Sequence, residues 1–223
     1  MEFSHILAST VHDIKNSLNL VLNDIDQIVQ CCSEQQMPSP QQLGQLSYEA
    51  KRVNNHLVQL LTLYKLNHQQ LLINQDYHQV YDFLEETCLL FKDMMKFNQI
   101  NLDFACPPQL QWTFDHQLLT GVINNVINNA YRYAKSKLLI STSRENEWLR
   151  IDINDDGPGY PADMLNNPLG RETVSDFTHG NTGLGLYFSQ KIAALHQNKN
   201  RQGYIRLLNG GALGGGCFSI YLP

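Results

Sequence analysis

The sequence predicts an α+β protein in two parts: a two-helix hairpin that pairs with a second copy into a four-helix bundle, then an α/β sandwich with a mixed sheet. Three observations predict it. Apolar residues recur at alternating steps of four and three through Leu7, Val11, Ile14, Leu18, Val21, Ile25 and Ile28, which is the seam of a coiled coil or helix bundle. The same alternation returns in Leu43, Leu46, Ala50, Val53, Leu57, Leu60 and Tyr64. From Tyr77 the pattern changes to alternating helix and strand signals, so the fading heptads near Asn67-His68-Gln69-Gln70 divide residues 1–70 from residues 71–223.

The first helix runs from about Phe3 to Cys32 and stops in the polar, proline-broken stretch Ser33 to Pro38. Ser39, Pro40 and Gln42 then combine an N-cap, a proline at the first helical position and a capping-box glutamine, which starts the second helix. A lone hairpin covers its two seams poorly, whereas two-fold pairing of hairpins into a bundle buries both, so a homodimer is expected. In the second part, Asp82 to about Lys96 reads as a helix, Ile100 to Ala105 and Gln111 to Phe114 as strands, and Asp115 caps a helix to about Ala134. A hairpin follows, with Lys137 to Ser143 and Trp148 to Asn154 joined by Arg144-Glu145-Asn146-Glu147. Leu149, Ile151 and Ile153 alternate on its second strand and mark one buried face. A Gly-, Asn- and Thr-rich loop extends from Gly157 to Thr182, a helix from about Leu184 to His196, and strands lie at Tyr204 to Leu208 and Cys217 to Leu222. The glycines Gly210, Gly211 and Gly214 to Gly216 read as a flexible turn between these last strands.

At 223 residues and 43% hydrophobic the chain is long enough for a sizeable core. A net charge of −5 argues against a nucleic-acid binder that relies on phosphate contacts. Cys31, Cys32, Cys88, Cys106 and Cys217 are odd in number and lack CxxC spacing, which suggests neither a disulfide framework nor a zinc site and fits a reducing cytoplasm. No apolar run approaches ~18 residues and the opening Met1-Glu2-Phe3-Ser4 is no signal peptide, so no membrane contact is expected from this segment; a sensor domain would lie outside it or on another chain.

Four stretches carry chemistry. In Val11-His12-Asp13-Ile14-Lys15-Asn16-Ser17-Leu18, His12 lies off the apolar seam and shares a helix face with His5, Asn16 and Asn19. Asp13 beside it can accept the Nδ1 proton and leave Nε2 as a nucleophile, although an exposed His-Asp pair on a helix is ordinarily just solvated. Asn124, Asn125, Asn128 and Asn129 crowd one helix against propensity, which points to a benefit other than helix stability. Asp155-Asp156-Gly157-Pro158-Gly159 closes an apolar strand and by itself is a plain turn. Gly180-Asn181-Thr182-Gly183-Leu184-Gly185-Leu186 opens a helix, where glycines and backbone N–H groups make a phosphate cradle.

Together, in this order and spacing, these stretches resemble the catalytic core of sensor histidine kinases of two-component systems. His12 to Leu18 is similar to the family's H-box in six of seven positions, with Ser17 where proline is common. Asn125 to Tyr133 resembles the N-box, Asp155 to Gly159 the DxGxG box, and Gly183-Leu184-Gly185 the end of the GxGLG box, with Asn181 in place of a frequent glycine. The ATP-binding domain is one that histidine kinases share with gyrase, heat-shock-chaperone and mismatch-repair ATPases. The resemblance implies ATP and Mg²⁺ as cofactors, Asn125 and Asn129 facing the nucleotide with Asn129 on the metal, and Arg132, with Tyr133 beside it, near the phosphates. It further implies Asp155 on the adenine amino group, Gly157 and Gly159 giving the base room, and Gly183, Leu184 and Gly185 around the phosphates. His12 would take the phosphoryl group with Asp13 as base and pass it to a response-regulator receiver domain, and Asn16 would orient water for a phosphatase reaction. A scaffold of another class, dimeric and ATP-binding but without kinase activity, fits the same motifs and is told apart by phosphate on His12.

Overall fold

The structure, a computed structural model, describes residues 3–33, 38–89, 91–97, 99–166 and 184–223; within these, side chains are described except at 3–10, 12, 13, 31–33, 40, 41, 93 and 97. The chain divides into two compact units, one built on a helical hairpin up to Leu71 and the other comprising Leu72 to Asn166 and Gly185 to Pro223. No described helix is long and apolar enough to cross a membrane.

In the first unit α1 (Phe3–Ser33) runs without a break through Ser17, as the missing proline allows. The chain re-enters helix α2 (Pro40–Asn67) through a complete capping box: Ser39 Oγ accepts from Gln42 N at 3.2 Å and Gln42 Oε1 accepts from Ser39 N at 2.9 Å. The two helices pack along each other. Ile14, Val21 and Ile28 are partly covered, and so are Leu46, Val53 and Leu60. The interleaved row is not: Val11, Leu18, Ile25, Leu43, Leu57 and Tyr64 are exposed. Ser17 is fully buried and accepts from both Nε and Nη2 of Arg52 at 3.0 and 2.6 Å, and Arg52 also pairs with Glu49 at 3.3 Å.

The second unit is an α+β sandwich. Its sheet has the order β2 (Asn101–Ala105), β4 (Lys137–Glu145), β5 (Trp148–Asp155), β9 (Gly216–Leu222), β8 (Tyr204–Asn209). β2 runs parallel to β4 and every other pair is antiparallel, so the sheet is mixed. Leu149, Ile151 and Ile153 are buried on one face and register with Leu222, Ile220 and Phe218. Helix α5 (His116–Tyr133) packs on β5 with Leu119, Ile123 and Ile127 fully buried, and α3 (Val80–Leu89) packs on α5.

Three local features depart from the sequence expectation. The helix expected over 82–96 is two: α3 stops at Leu89, Phe91 N donates to Cys88 O in a tight turn, and α4 (Lys92–Phe97) restarts with Phe91 and Met95 buried. A strand β1 (Asp76–Gln79) pairs with β3 (Gln111–Phe114); its polar, half-exposed residues carry no apolar alternation to announce it. Short pieces α6 (Ala162–Asn166), β6 (Gln197–Asn198) and β7 (Arg201–Gln202) form where loop was expected.

A buried histidine ties two helix ends together. Asp115, the N-cap of α5, accepts from Leu118 N and Asn74 N through its two carboxylate oxygens, and its own N–H donates to His196 Nε2 at 3.0 Å. His196 follows α7 (Leu184–Leu195) and donates from Nδ1 to Ile192 O at 2.8 Å. A ring whose Nε2 accepts must be neutral with its proton on Nδ1. Burial lowers its pKa from 6.5. The unfolded chain therefore takes up a proton that the folded chain refuses, and stability present above pH 6.5 is lost as the pH falls below it. Thermal melting of wild type and His196→Gln from pH 8 to 5.5 should show a stability gap at pH 8 of about 1–3 kcal/mol, narrowing towards pH 5.5; a constant gap would mean His196 is not held neutral.

Candidate functional site

The sequence-derived residues of the second unit gather at the ends of α5 and β5 and the start of α7. Asp155, the last residue of β5, is 7% exposed. Its Oδ1 accepts from Gly157 N at 2.8 Å and Gly216 N at 3.1 Å, and its carbonyl accepts from Gly215 N at 3.1 Å. Oδ2 accepts no hydrogen bond among the described residues. An almost buried carboxylate with one oxygen saturated and the other open is a receptor for a neutral N–H donor such as an exocyclic amino group.

The glycines around it are required by space. A Cβ on Gly157 would overlap the carbonyl oxygen of Tyr133, the last residue of α5, so this glycine lets the helix end meet the strand end. Gly159 has φ +81°, and a Cβ there would come within 2.6 Å of Asn209 Oδ1. Asp156 points the other way and accepts from Lys135 N, Ser136 N and Ser136 Oγ, pinning the link from α5 to β4. Burial raises its pKa, but those hydrogen bonds outweigh it and hold the carboxyl at about 2.

The asparagines of α5 divide in role. Asn125 is buried and its Nδ2 donates to Ser189 Oγ at 3.5 Å, while Ser189 Oγ donates to Gly185 O at 2.7 Å. A Cβ on Gly185 would overlap the Asn125 amide. Asn125 thus locks α5 to the first turn of α7. Asn128 donates back to Asn124 O at 2.8 Å along its own helix. Asn129, Arg132 and Tyr133 are exposed at the C-terminal end of α5, where their side chains can reach a ligand. Gly185 lies in the first turn of α7, whereas Gly183 and the preceding glycine lie outside the described residues.

In the first unit Asn16 is exposed on α1, and the side chains of His12 and Asp13 lie outside the described ones. Sequence reasoning placed a turn between β8 and β9 but read it as flexible. It is no loose linker: Gly210 N donates to Gly215 O, Ala212 N to Asn154 Oδ1, and Gly215 and Gly216 to Asp155. A glycine run immediately before an apolar strand was the available signal, since it marks close backbone approach.

Residues 114–223 match the family model of histidine kinase-, DNA gyrase B- and HSP90-like ATPases. The chain is similar to the sensor protein kinase PilS of Pseudomonas aeruginosa, 28% identical over an alignment that covers 96% of this chain and 39% of PilS. It is also similar to the sensor protein SrrB of Staphylococcus aureus, 26% identical over 85% of this chain and 34% of SrrB. It thus spans well under half the length of these relatives. Among solved structures, the histidine kinase AdeS of Acinetobacter baumannii superposes with a TM-score of 0.65 at 20% identity, covering 95% of this chain and 96% of that one. The catalytic domain of the histidine kinase ThkA superposes with a TM-score of 0.57 at 20% identity, covering 67% of this chain and 95% of that one. The class these similarities indicate is an ATPase domain of this family, preceded in sequence by a helical hairpin. Together these similarities support a histidine kinase catalytic core.

The contact between Asn125 and Gly185 is testable through stability alone. Gly185→Ala should lower stability by about 1–3 kcal/mol, and Asn125→Ala/Gly185→Ala should lose less than the sum of the single variants, because removing the amide makes room for the new methyl. Additive losses in thermal or urea melts would deny the contact.

Proposed function

We propose that this core is an ATP-dependent protein-histidine kinase in which the domain of residues 71–223 binds Mg-ATP and the hairpin of residues 1–70 carries the phosphoryl acceptor. The observation that carries the nucleotide reading is Asp155: a strand-end carboxylate held by two glycine N–H groups with one oxygen left open. Asp155 would accept from the adenine amino group, Gly157 and Gly159 would admit the base, and Gly183, Leu184 and Gly185 would bring backbone N–H groups at the start of α7 to the phosphates. Arg132 would approach the phosphates with Tyr133 beside it. Asn125, locked to Gly185, keeps the cradle in place, and Asn129 offers an exposed amide oxygen, a hard ligand of the kind Mg²⁺ accepts. One amide oxygen cannot hold that ion alone, so phosphate oxygens and water would supply the other ligands. When bound, the ion supplies charge neutralisation of the triphosphate.

In the transfer step His12 Nε2 forms the N–P bond as the γ-phosphorus leaves the β-phosphate oxygen of ADP, with the Nδ1 proton passing towards Asp13. The phosphoryl group then moves to an aspartate of a response-regulator receiver domain. Asn16, one turn further along α1, would orient water against that phosphoaspartate and give a phosphatase activity. The exposed row Val11, Leu18, Ile25, Leu43, Leu57 and Tyr64 supports pairing into a homodimeric four-helix bundle. ATP chemistry and the free thiols Cys88, Cys106 and Cys217 suit the cytoplasm. No nucleic-acid or membrane contact is proposed for this segment, and a sensor domain or sensor protein would supply the input.

Incubation with γ-labelled ATP tests the proposal: the label should be acid-labile, alkali-stable and absent from His12→Gln. ATP binding without label would favour a dimeric ATP-binding scaffold instead. Asn129→Asp and Asp155→Asn should each weaken Mg-ATP binding by more than tenfold while sedimentation still finds a dimer. Unchanged affinity in either variant would relocate the site, and a micromolar monomer would remove the bundle. Asn16→Ala should keep autophosphorylation within about a few-fold and lose regulator dephosphorylation; loss of labelling as complete as in Asp13→Ala would move Asn16 into the kinase step.

A further inference from the structure

Asn209, the last residue of β8, belongs to none of the motifs described above. Its side chain reaches 49 residues back to the loop that follows Asp155 and grips one residue at both polar groups. Oδ1 accepts from Tyr160 N at 2.7 Å and Nδ2 donates to Tyr160 O at 2.8 Å. Two bonds in opposite senses to one residue fix its backbone orientation, which a single bond would leave free to pivot. Gly159 has φ +81° and no room for a side chain beside the Asn209 amide, so the preceding residue is adapted to the clamp.

The clamp determines where the Tyr160 ring goes. A Cβ built on Gly216 would stand 3.1 Å from the edge of that ring and 2.8 Å from Asp155 Oδ2, so the ring and the open carboxylate oxygen flank the same point. Gly216 also donates to Asp155 Oδ1, so of the two carboxylate oxygens it is Oδ2 that is left without a bond among the described residues. Burial, with the neighbouring carboxylate of Asp155 and then Cys217, raises the Tyr160 pKa, so its hydroxyl stays protonated at neutral pH. Resting on the nucleotide reading of Asp155, we propose that Asn209 is a positioning residue for base discrimination: by clamping Tyr160 it fixes the wall beside Asp155 Oδ2 that holds the carboxylate in register with an exocyclic amino group.

The substrate class this selects is a purine nucleotide with an amino group at position 6. Inosine triphosphate carries a carbonyl there and is the natural comparison. Displacement of a fluorescent ATP analogue from the full chain should give ATP binding that is roughly tenfold weaker in Asn209→Ala, with a much smaller change for inosine triphosphate. The ratio of the two affinities should therefore fall about tenfold. Asn209→Asp, which keeps the acceptor for Tyr160 N–H, should recover part of the ratio. A general loss of structure would weaken both nucleotides together, so an unchanged ratio in Asn209→Ala would overturn the proposal. Should Asn209→Ala not fold, Asn209→Asp decides by the same ratio, which must lie between wild type and parity. Asp155→Asn is measured alongside: if ATP binding survives it, the nucleotide reading fails, whereas loss there with an unchanged ratio at Asn209 rejects only the positioning role.

Discussion

The carboxylate of Asp155 is the constraint on which the second unit's functional end depends. It sits almost buried at the end of a core strand, where a carboxylate needs hydrogen-bond partners to be tolerable. Its partners are backbone N–H groups from two separate turns, Gly157 and Gly216, which lie 59 residues apart in sequence. Each turn must approach so closely that a side chain at Gly157 or Gly216 would collide with its surroundings. One carboxylate therefore dictates glycine at distant positions, and the next residue, Asp156, just past the end of β5, secures the end of α5 to β4. Strand end, helix end and final turn converge because two successive aspartates face opposite ways.

The hairpin follows a different economy. Where a core of aliphatic residues alone would suffice to hold two helices, this one buries Ser17, Glu49 and Gln59. Arg52 bridges the first two, donating to Ser17 and pairing with Glu49. The contact between Ser17 and Arg52 favours one alignment of the helices, since sliding them by a turn would leave the arginine without the serine, while its pair with Glu49 lies within α2. The apolar rows beside this polar strip are partly open.

Much of this was legible in the sequence. The period of the apolar residues gave both long helices, the Ser39-Pro40-Gln42 signal gave the entry to α2, and Leu149, Ile151 and Ile153 gave the buried face of β5. Asp115 was readable as a cap because its position before an apolar helix is a local matter. What escaped was non-local. Nothing near Asn209 says that its amide will meet Tyr160, and nothing near Gly185 says that Asn125 will fill the space its missing side chain leaves. The polar strand β1 forms only because β3 offers it a ladder, and α3 breaks before α4 because Phe91 and Met95 both have to reach the core. Such features depend on where the fold brings distant segments, a quantity that short-range pattern does not contain.

The Ser17–Arg52 contact has a mechanical consequence for the helix that carries His12. Two hydrogen bonds from one planar guanidinium converge on a single buried oxygen one turn and a half from the histidine. Turning α1 about its own axis would swing that oxygen out of the guanidinium plane and break both bonds at once, whereas a bend further towards either end leaves them intact. The contact is a fulcrum: torque applied at the start of α1 meets resistance here, while flexing is passed through. Because Ser17 follows His12 along α1, the stretch between them is anchored against rotation at its C-terminal side.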